Sequence, residues 1–314
     1  MIQVCLLKEG ALFTGGEELL EQEGRKWIDV LHPDEAVMAR LAERFGLHKL
    51  AVEDCLHLDQ RPKLEEYPNH VFVVLQGFTA AGKDVCALTM HEHHFFLAKE
   101  WIISVHELPF TGHDAVVQRV KSDPRGTLER GTDFILYLLA DGLVDAQFPL
   151  LDAFNDELED LEVAIFENAE KSQLQRIFEM KRTLVQLRRV LSPQRDVVGL
   201  MARRGIPNVD ERSTLYFRDV YDHLVRLYEA IDAGRDLLGN VMDGYLSMVA
   251  NKTNDITKQL TIFATIFLPL SFIVGFFGQN FEVLSGRVSY YAMWAMIIIL
   301  PVGLFLWFKR KQWL

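Results

Sequence analysis

The most apolar parts of the chain are two runs near its C-terminal end. Leu260–Phe277 and Val288–Phe308 contain no charged residue, and as helices each is long enough to cross about 30 Å of hydrocarbon. Aromatic residues and clustered charges flank both runs, which is more typical of membrane spans than of a buried helical hairpin. The pattern therefore predicts two transmembrane helices joined by a short loop.

Basic residues around these runs predict their orientation. Lys252 and Lys258 precede the first span, and Lys309–Lys311 follow the second. Because positive flanks stay on the cytoplasmic side, the loop should lie outside. We expect a multi-pass protein of the inner (cytoplasmic) membrane with both termini in the cytoplasm.

A stripe of polar and small residues follows one face of the first span. Its members recur at steps of three and four: Asn254, Thr257, Thr261, Ala264, Leu268, Ser271 and Gly275. Such a stripe indicates either close packing between helices or a water-lined pore surrounded by copies of this helix. Since one copy with two spans cannot enclose a pore, the second interpretation requires an oligomer.

The N-terminal part alternates strand and helix patterns. We predict a strand at Trp27–Leu31 and a helix at Pro33–Gly46 with Pro33 just inside it. Further strands are predicted at His70–Phe78, Asp84–Met90, His93–Lys99 and Glu100–His106.

From Thr132 onward the pattern is helical, with helices predicted at Phe148–Glu167 and Ser172–Leu191. A further helix should begin at Arg212 and continue without a Gly-rich or Pro stop into the first span. The fold class is therefore α+β: an N-terminal α/β cytoplasmic domain with a sheet flanked by helices, then a long stalk helix and two spans. The predicted boundaries are 1–211 for the cytoplasmic domain, 212–259 for the stalk, 260–277 and 288–308 for the spans, 278–287 for the external loop and 309–314 for a basic cytoplasmic tail.

Charge narrows the class of partner. The 314 residues include 44 acidic and 33 basic ones, and only Asp255 and Glu282 of the acids lie beyond Asn251. The part of the chain before Asn251 therefore carries most of the negative charge. Such a charge repels nucleic acid and attracts cations, so divalent cations are the expected partners. No motif of a nucleophile with its base and no cofactor fingerprint occurs, so we expect neither an enzyme nor an organic cofactor.

A run of histidines is a second candidate for metal chemistry. His91, His93 and His94 stand beside Glu92 on a predicted strand, where residues two apart share a face. A zinc site and an ordinary solvated strand end both fit this pattern.

Three segments carry a family resemblance: Glu53–Glu65, Tyr216–His223 and Tyr245–Glu282, the last ending in Gly-Gln-Asn. Over essentially its whole length the chain resembles CorA-type magnesium channels. The resemblance implies a funnel-shaped homopentamer in a lipid bilayer, with five copies of the first span around the pore.

The resemblance also implies positions for the ion path. Gly278, Gln279 and Asn280 would form the selectivity filter, and Glu282 would stand at the outer mouth, either as a ring of acids or as a solvated loop residue. The pore positions implied are Asp243, Asn254, Thr257, Leu260, Ala264, Leu268, Ser271 and Gly275, with Leu260 where the spacing alone indicates Thr261.

Mg²⁺ is implied both as the transported ion and as a regulator. Asp54 and Asp219 match a regulatory site between subunits, with Glu53 and Asp141 as secondary ligands. The expected function is Mg²⁺ influx down the membrane potential, gated by cytoplasmic Mg²⁺. Because the family usually has Gly-Met-Asn and zinc transporters of the ZntB type vary the middle residue, Gln279 leaves open a transporter for Zn²⁺ or another transition metal, with or without proton coupling.

Overall fold

The computed structural model describes residues 1–57, 59–82, 84–203, 205–279 and 286–313. Seven strands form one sheet: β1 (Ile2–Lys8), β2 (Ala11–Gly15), β3 (Arg25–Leu31), β4 (Lys63–Glu66), β5 (Val71–Ala80), β6 (Leu88–Leu97) and β7 (Trp101–His106). Their order is β2-β1-β3-β7-β6-β5-β4. Among these strands β3 and β7 are parallel, and the other neighbours are antiparallel.

Eight α-helices occur in the described ranges, besides a short 3₁₀ helix at Glu17–Leu19. They are α1 (Glu35–Phe45), α2 (Lys49–Leu56), α3 (His113–Ser122), α4 (Thr132–Asp145), α5 (Phe148–Glu167), α6 (Lys171–Met201), α7 (Thr214–Phe277) and α8 (Arg287–Arg310).

The chain divides into two compact units. The α/β unit comprises Met1–Val163 with Glu170–Met242, and the C-terminal unit comprises Ala164–Ala169 with Asp243–Leu314. The finer boundaries predicted from the sequence stay predictions.

One face of the sheet packs against α1 and α2 in the main hydrophobic core. Alternate residues of the strands point to this face, including Ile28, Val30 and Ile103, and Met38 and Leu41 of α1 meet them. Helix α1 is capped at both ends. The Asp34 side chain accepts a hydrogen bond from the Val37 backbone at 2.7 Å, and the left-handed Gly46 ends the helix.

The opposite face of the sheet packs against α4. A side chain at Gly77 of β5 would lie 2.7 Å from Leu143 of α4, so this glycine permits close approach of helix and sheet. The region Thr132–Glu167 is apolar enough to cross a membrane by composition, with mean hydropathy 1.5, but 61% of its most apolar stretch is buried inside the α/β unit. The apolar character of this region is therefore that of helices buried in a protein core.

Several predicted elements need correction. Pro33 precedes the Asp34 cap and lies outside α1. The two strands predicted at Asp84–Met90 and His93–Lys99 are one strand, β6, because Glu92 and His91 continue the ladder opposite Gln76 and Gly77 of β5.

Other elements were not predicted at all, namely β1, β2, β4, α2 and α3. The β1–β2 hairpin turns at Glu9 and Gly10, both with positive φ. This is the two-residue turn that matches strand twist.

In the C-terminal unit, the predicted spans lie within α7 and α8. Their most apolar stretches have mean hydropathy 2.3 and 2.1, and only 6% of each is buried. Large apolar side chains such as Phe272 and Val288 are 73% and 83% exposed. An exposed apolar surface of this extent fits contact with lipid or with further copies of the chain.

Candidate functional site

Helices α4 and α7 bring acids and a histidine together in the α/β unit. Asp141 and Asp145 lie one turn apart on α4, and Asp219 and His223 lie one turn apart on α7. Nδ1 of His223 is 2.8 Å from Oδ1 of Asp145 and 4.0 Å from Oδ1 of Asp141, while its Nε2 is 4.0 Å from Oδ2 of Asp219. Of these four residues, Asp141 and Asp219 were predicted as metal ligands.

The electrostatics of this cluster favour a bound cation. The pKa of Asp141 is raised to about 6, first by burial and then by the charges of Asp145 and Asp219, against the opposing charge of His223. Oδ1 of Asp141 is buried and has no hydrogen-bond partner among the described residues. Carboxylate oxygens are the ligands that Mg²⁺ prefers, and one ligand atom from each of Asp141, Asp145 and His223 lies within 4.8 Å of the others.

Asp145 and His223 were missed as partners of the predicted ligands. The signal was available, because each stands four residues after a predicted ligand on a helix, and such pairs share a face.

Asp54 and Glu53 lie apart from this cluster, on α2. Oδ2 of Asp54 is 2.6 Å from Nζ of Lys63, which also contacts Glu65 at 3.1 Å. Burial alone would lower the pKa of Lys63, but hydrogen bonds to the two carboxylates outweigh it and raise that pKa. The Glu53 side chain is exposed. Within one chain, therefore, Asp54 is neutralised by a lysine rather than grouped with Asp219.

The polar stripe of α7 is exposed along its length in the C-terminal unit. Leu260 and Leu268 are 68% and 70% exposed. The other implied pore positions, Asp243, Asn254, Thr257, Ala264, Ser271 and Gly275, are exposed as well. An open groove of about 610 Å³ is lined by Asn254, Thr257 and Thr261, among others. A single chain leaves this face uncovered.

Three threonine hydroxyls on this part of α7 donate hydrogen bonds to the backbone of the same helix. Thr253, Thr257 and Thr261 each donate a hydrogen bond to the carbonyl oxygen one turn earlier, at 2.9, 2.9 and 2.8 Å. Because the protons are used within the helix, the lone pairs of these oxygens remain for other donors. Such oxygens accept hydrogen bonds from the water shell of a cation.

The described part of the segment predicted to form the filter ends at Gln279. The Gly278 N–H donates to the Val274 carbonyl at 2.9 Å, and a Cβ at Gly278 would lie 3.0 Å from that oxygen. Because it has no side chain, Gly278 lets the backbone approach the Val274 carbonyl closely at the end of α7. Asn280 and Glu282 lie outside the described residues.

The histidine run on β6 is split between the two faces of the sheet. His94 lies 3.1 Å from Glu92 on the α1–α2 face. His91 and His93 are buried on the opposite face, where His91 contacts Thr79 at 3.1 Å. Burial lowers the pKa of both, that of His93 strongly. These four residues therefore do not form one metal site, and the solvated strand end considered from the sequence is wrong because the histidines are buried.

Comparison with known proteins shows the protein family to which this chain is similar. The sequence profile of the family described as "CorA-like Mg2+ transporter protein" matches residues 22–310. A cobalt/magnesium transport protein CorA of Thermotoga maritima is 37% identical over 293 residues, which cover 92% of this chain and 83% of that protein. A zinc transport protein ZntB of Yersinia pseudotuberculosis is 24% identical over 257 residues, covering 81% of this chain and 77% of that protein.

A solved structure agrees at the level of the fold. The complete structure of the CorA magnesium transporter from Methanocaldococcus jannaschii superposes with a TM-score of 0.87 at 22% identity, covering 100% of this chain and 99% of that one. The N-terminal α/β domain, the long helix and the C-terminal apolar helices predicted from the sequence are thus confirmed. The chain belongs to the CorA-like Mg²⁺ transporter family, a family of ion transporters and not of enzymes.

Proposed function

We propose that this chain forms a homopentameric channel for Mg²⁺ influx through the inner membrane, with both termini in the cytoplasm. The observation that carries the proposal is the uncovered stripe of α7, where Asn254, Thr257 and Ser271 are exposed between apolar surfaces. Five such stripes around an axis would cover one another and enclose a polar path.

The chemistry of this stripe suits an ion that keeps its water. Mg²⁺ dehydrates reluctantly, so it is best held through hydrogen bonds from its water shell to neutral oxygens. The hydroxyl oxygens of Thr257 and Thr261 offer such acceptors, since their protons already bond within the helix. Neutral acceptors bind weakly enough to release the ion.

The membrane potential supplies the driving force. A divalent ion gains about 4.6 kcal/mol per 100 mV on crossing to a negative interior, so no nucleotide is needed. The carboxamides of Gln279 and Asn280 after Gly278 would form the outer filter, with Glu282 at the mouth. Rings of Leu260 and Leu268 would close the path by excluding water.

Gating is proposed to depend on cytoplasmic Mg²⁺ bound between subunits. Asp54 of one copy and Asp219 of the next would share the ion, with Glu53 and Asp141 as secondary ligands. The 63% exposed Asp219 side chain is free to meet a neighbouring copy. Bound Mg²⁺ would compete with Lys63 for Asp54, and loss of the ion would let the subunits separate and the pore open.

A transporter for Zn²⁺ or another transition metal on the same scaffold is the second candidate. The ZntB relative supports it, as does Gln279 in place of the usual methionine. Against it, the described positions of the stripe carry no thiolate or imidazole, the ligands that favour Zn²⁺.

Reconstituted transport tests the proposal. Purified protein in liposomes should carry Mg²⁺ inward under an inside-negative potential, and an imposed pH gradient should change the rate little. Zn²⁺ influx that exceeds Mg²⁺ influx, or that requires the pH gradient, would favour the second candidate. No flux of either ion in folded protein would exclude both.

A further inference from the structure

Three side chains with metal-binding atoms meet on β3, β7 and α3 of the α/β unit, and none of them belongs to the acidic cluster. Asp29 of β3 pairs with Ser104 of the parallel neighbour β7, so His106, two residues further on β7, points to the same face. His113, the first residue of α3, lies over that face. Oδ1 of Asp29 is 3.0 Å from Nε2 of His106 and 3.5 Å from Nε2 of His113.

These separations match a coordination sphere. Zinc–ligand bonds of about 2.0–2.1 Å in tetrahedral geometry place neighbouring ligand atoms about 3.3 Å apart. The two observed distances lie on either side of that value, and the shorter one is a hydrogen bond between His106 and Asp29 that a bound metal would replace. One ligand atom from each of the three residues lies within 4.8 Å of the others.

The imidazoles also have unused nitrogen atoms. The side chains of His106 and His113 are only 3% and 8% exposed. Nε2 of His113, which points toward Asp29, has no hydrogen-bond partner among the described residues, and neither does Nδ1 of His106. A buried nitrogen without a partner costs stability, and a metal bond to the His113 nitrogen would remove that cost.

A chain of hydrogen bonds fixes the carboxylate. The Trp27 indole N–H donates to the Ser104 hydroxyl at 2.8 Å, and that hydroxyl donates to Oδ1 of Asp29 at 2.5 Å. Outer partners of this kind hold ligating carboxylates in protein metal sites.

The three ligands also have access to solvent. They line a pocket of about 370 Å³ together with Gln3, Asp114 and Lys121, among others. The pocket has room for a water molecule at a fourth coordination position.

We propose that Asp29, His106 and His113 form a binding site for a transition-metal ion of the Zn²⁺ class, with one position open to water. Two imidazoles and one carboxylate suit Zn²⁺ or Co²⁺, whereas Mg²⁺ prefers oxygen ligands throughout. The site lies within one α/β unit, so it does not depend on the pentamer or on the identity of the transported ion.

Metal binding by the purified full-length protein tests this site without any transport assay. Protein in detergent is stripped with EDTA and dialysed against buffered Zn²⁺, with millimolar Mg²⁺ present to occupy oxygen-ligand sites. We expect the wild type to retain a Zn²⁺ ion under these conditions. His113→Gln and His106→Gln should each bind Zn²⁺ at least roughly tenfold more weakly than the wild type. The matched control His223→Asn, in the other cluster, should keep it. Co²⁺ should give intense visible absorption typical of a tetrahedral site in the wild type and the control, and not in the two variants.

Folding is checked separately. Each variant is melted in EDTA, and His113→Cys, which keeps a metal-binding atom, should retain Zn²⁺ even if His113→Gln is less stable. The proposal is overturned if stripped wild type binds no Zn²⁺ in the presence of Mg²⁺. Equal Zn²⁺ affinity of His113→Gln, His106→Gln and wild type would overturn it as well.

Discussion

The α/β unit and the C-terminal unit differ in whether their polar groups are paired within one chain or left exposed. In the α/β unit, folding of one chain gathers charged groups: Asp141 is within 4.0 Å of His223, and Asp54 is 2.6 Å from Lys63. In the C-terminal unit, neutral polar groups such as Asn254 and Ser271 remain exposed on α7. Charged, partly buried groups are suited to holding an ion, whereas neutral groups on an open face are suited to letting it pass.

The two regions also differ in what one chain contains. In the α/β unit, one chain holds both partners of these contacts. The stripe of α7 stays exposed in one chain, so its partners must come from outside that chain.

The largest effect is expected at the proposed filter. Asn280→Ala should lower Mg²⁺ flux by roughly an order of magnitude or more, because it removes one hydrogen-bonding group per subunit from the mouth without emptying a core. Flux into liposomes measures this, and size-exclusion chromatography checks assembly. Gln279→Met is the matched control and should change flux much less. Wild-type flux in Asn280→Ala would make the Gly-Gln-Asn segment a structural turn.

A smaller effect is expected at the proposed gate. Asp54→Asn combined with Asp219→Asn should raise the Mg²⁺ concentration that protects the protein from proteolysis roughly tenfold, because the shared ion loses two carboxylates. Mg²⁺ titrations of limited proteolysis give the midpoint. Asp236→Asn, which removes another exposed acid of α7, should leave the midpoint unchanged. If the double variant is protected like wild type, the regulatory ion binds elsewhere.

The last prediction concerns the stability of the metal-free protein, through Asp141, and not transport. Its pKa is raised from 3.8 to about 6, so its contribution to stability is present below pH 4 and is lost as the pH rises through about 6. Relative to Asp141→Asn, the wild type in EDTA should lose about 1–3 kcal/mol of unfolding free energy between pH 4 and pH 7. Denaturant unfolding at both pH values measures the difference. Parallel pH profiles of the two proteins would show that Asp141 is not destabilised by its surroundings.

Much of the fold could be predicted because strong periodicity reflects burial. The spans, the long α7 and strand β5 follow from hydrophobic runs of the right length. The β1–β2 hairpin and α2 were missed because short elements carry weak patterns. Strand β6 was divided in two because polar His91 and Glu92 interrupt its apolar residues, although both are paired with β5.

The two candidate sites in the α/β unit were predictable to different degrees, because only one of them follows a regular spacing along the chain. Asp141 and Asp219 were expected from the resemblance, and the helical repeat could have added Asp145 and His223. Asp29, His106 and His113 have no common spacing, because two strands and a helix from different parts of the chain bring them together. Tertiary structure alone supplies that site.

Cysteine accessibility in the assembled protein tests the central claim, that copies of α7 surround a water-filled path. Single cysteines at Asn254, Thr257 and Ser271 should react with water-soluble thiol reagents and form crosslinks between copies in a pentamer. A cysteine at Phe263, which is also exposed in one chain at 62% but lies off the stripe, should react poorly in membranes because it faces lipid or the second span. A monomer whose stripe cysteines are shielded by lipid, with Phe263→Cys equally or more reactive, would contradict the account.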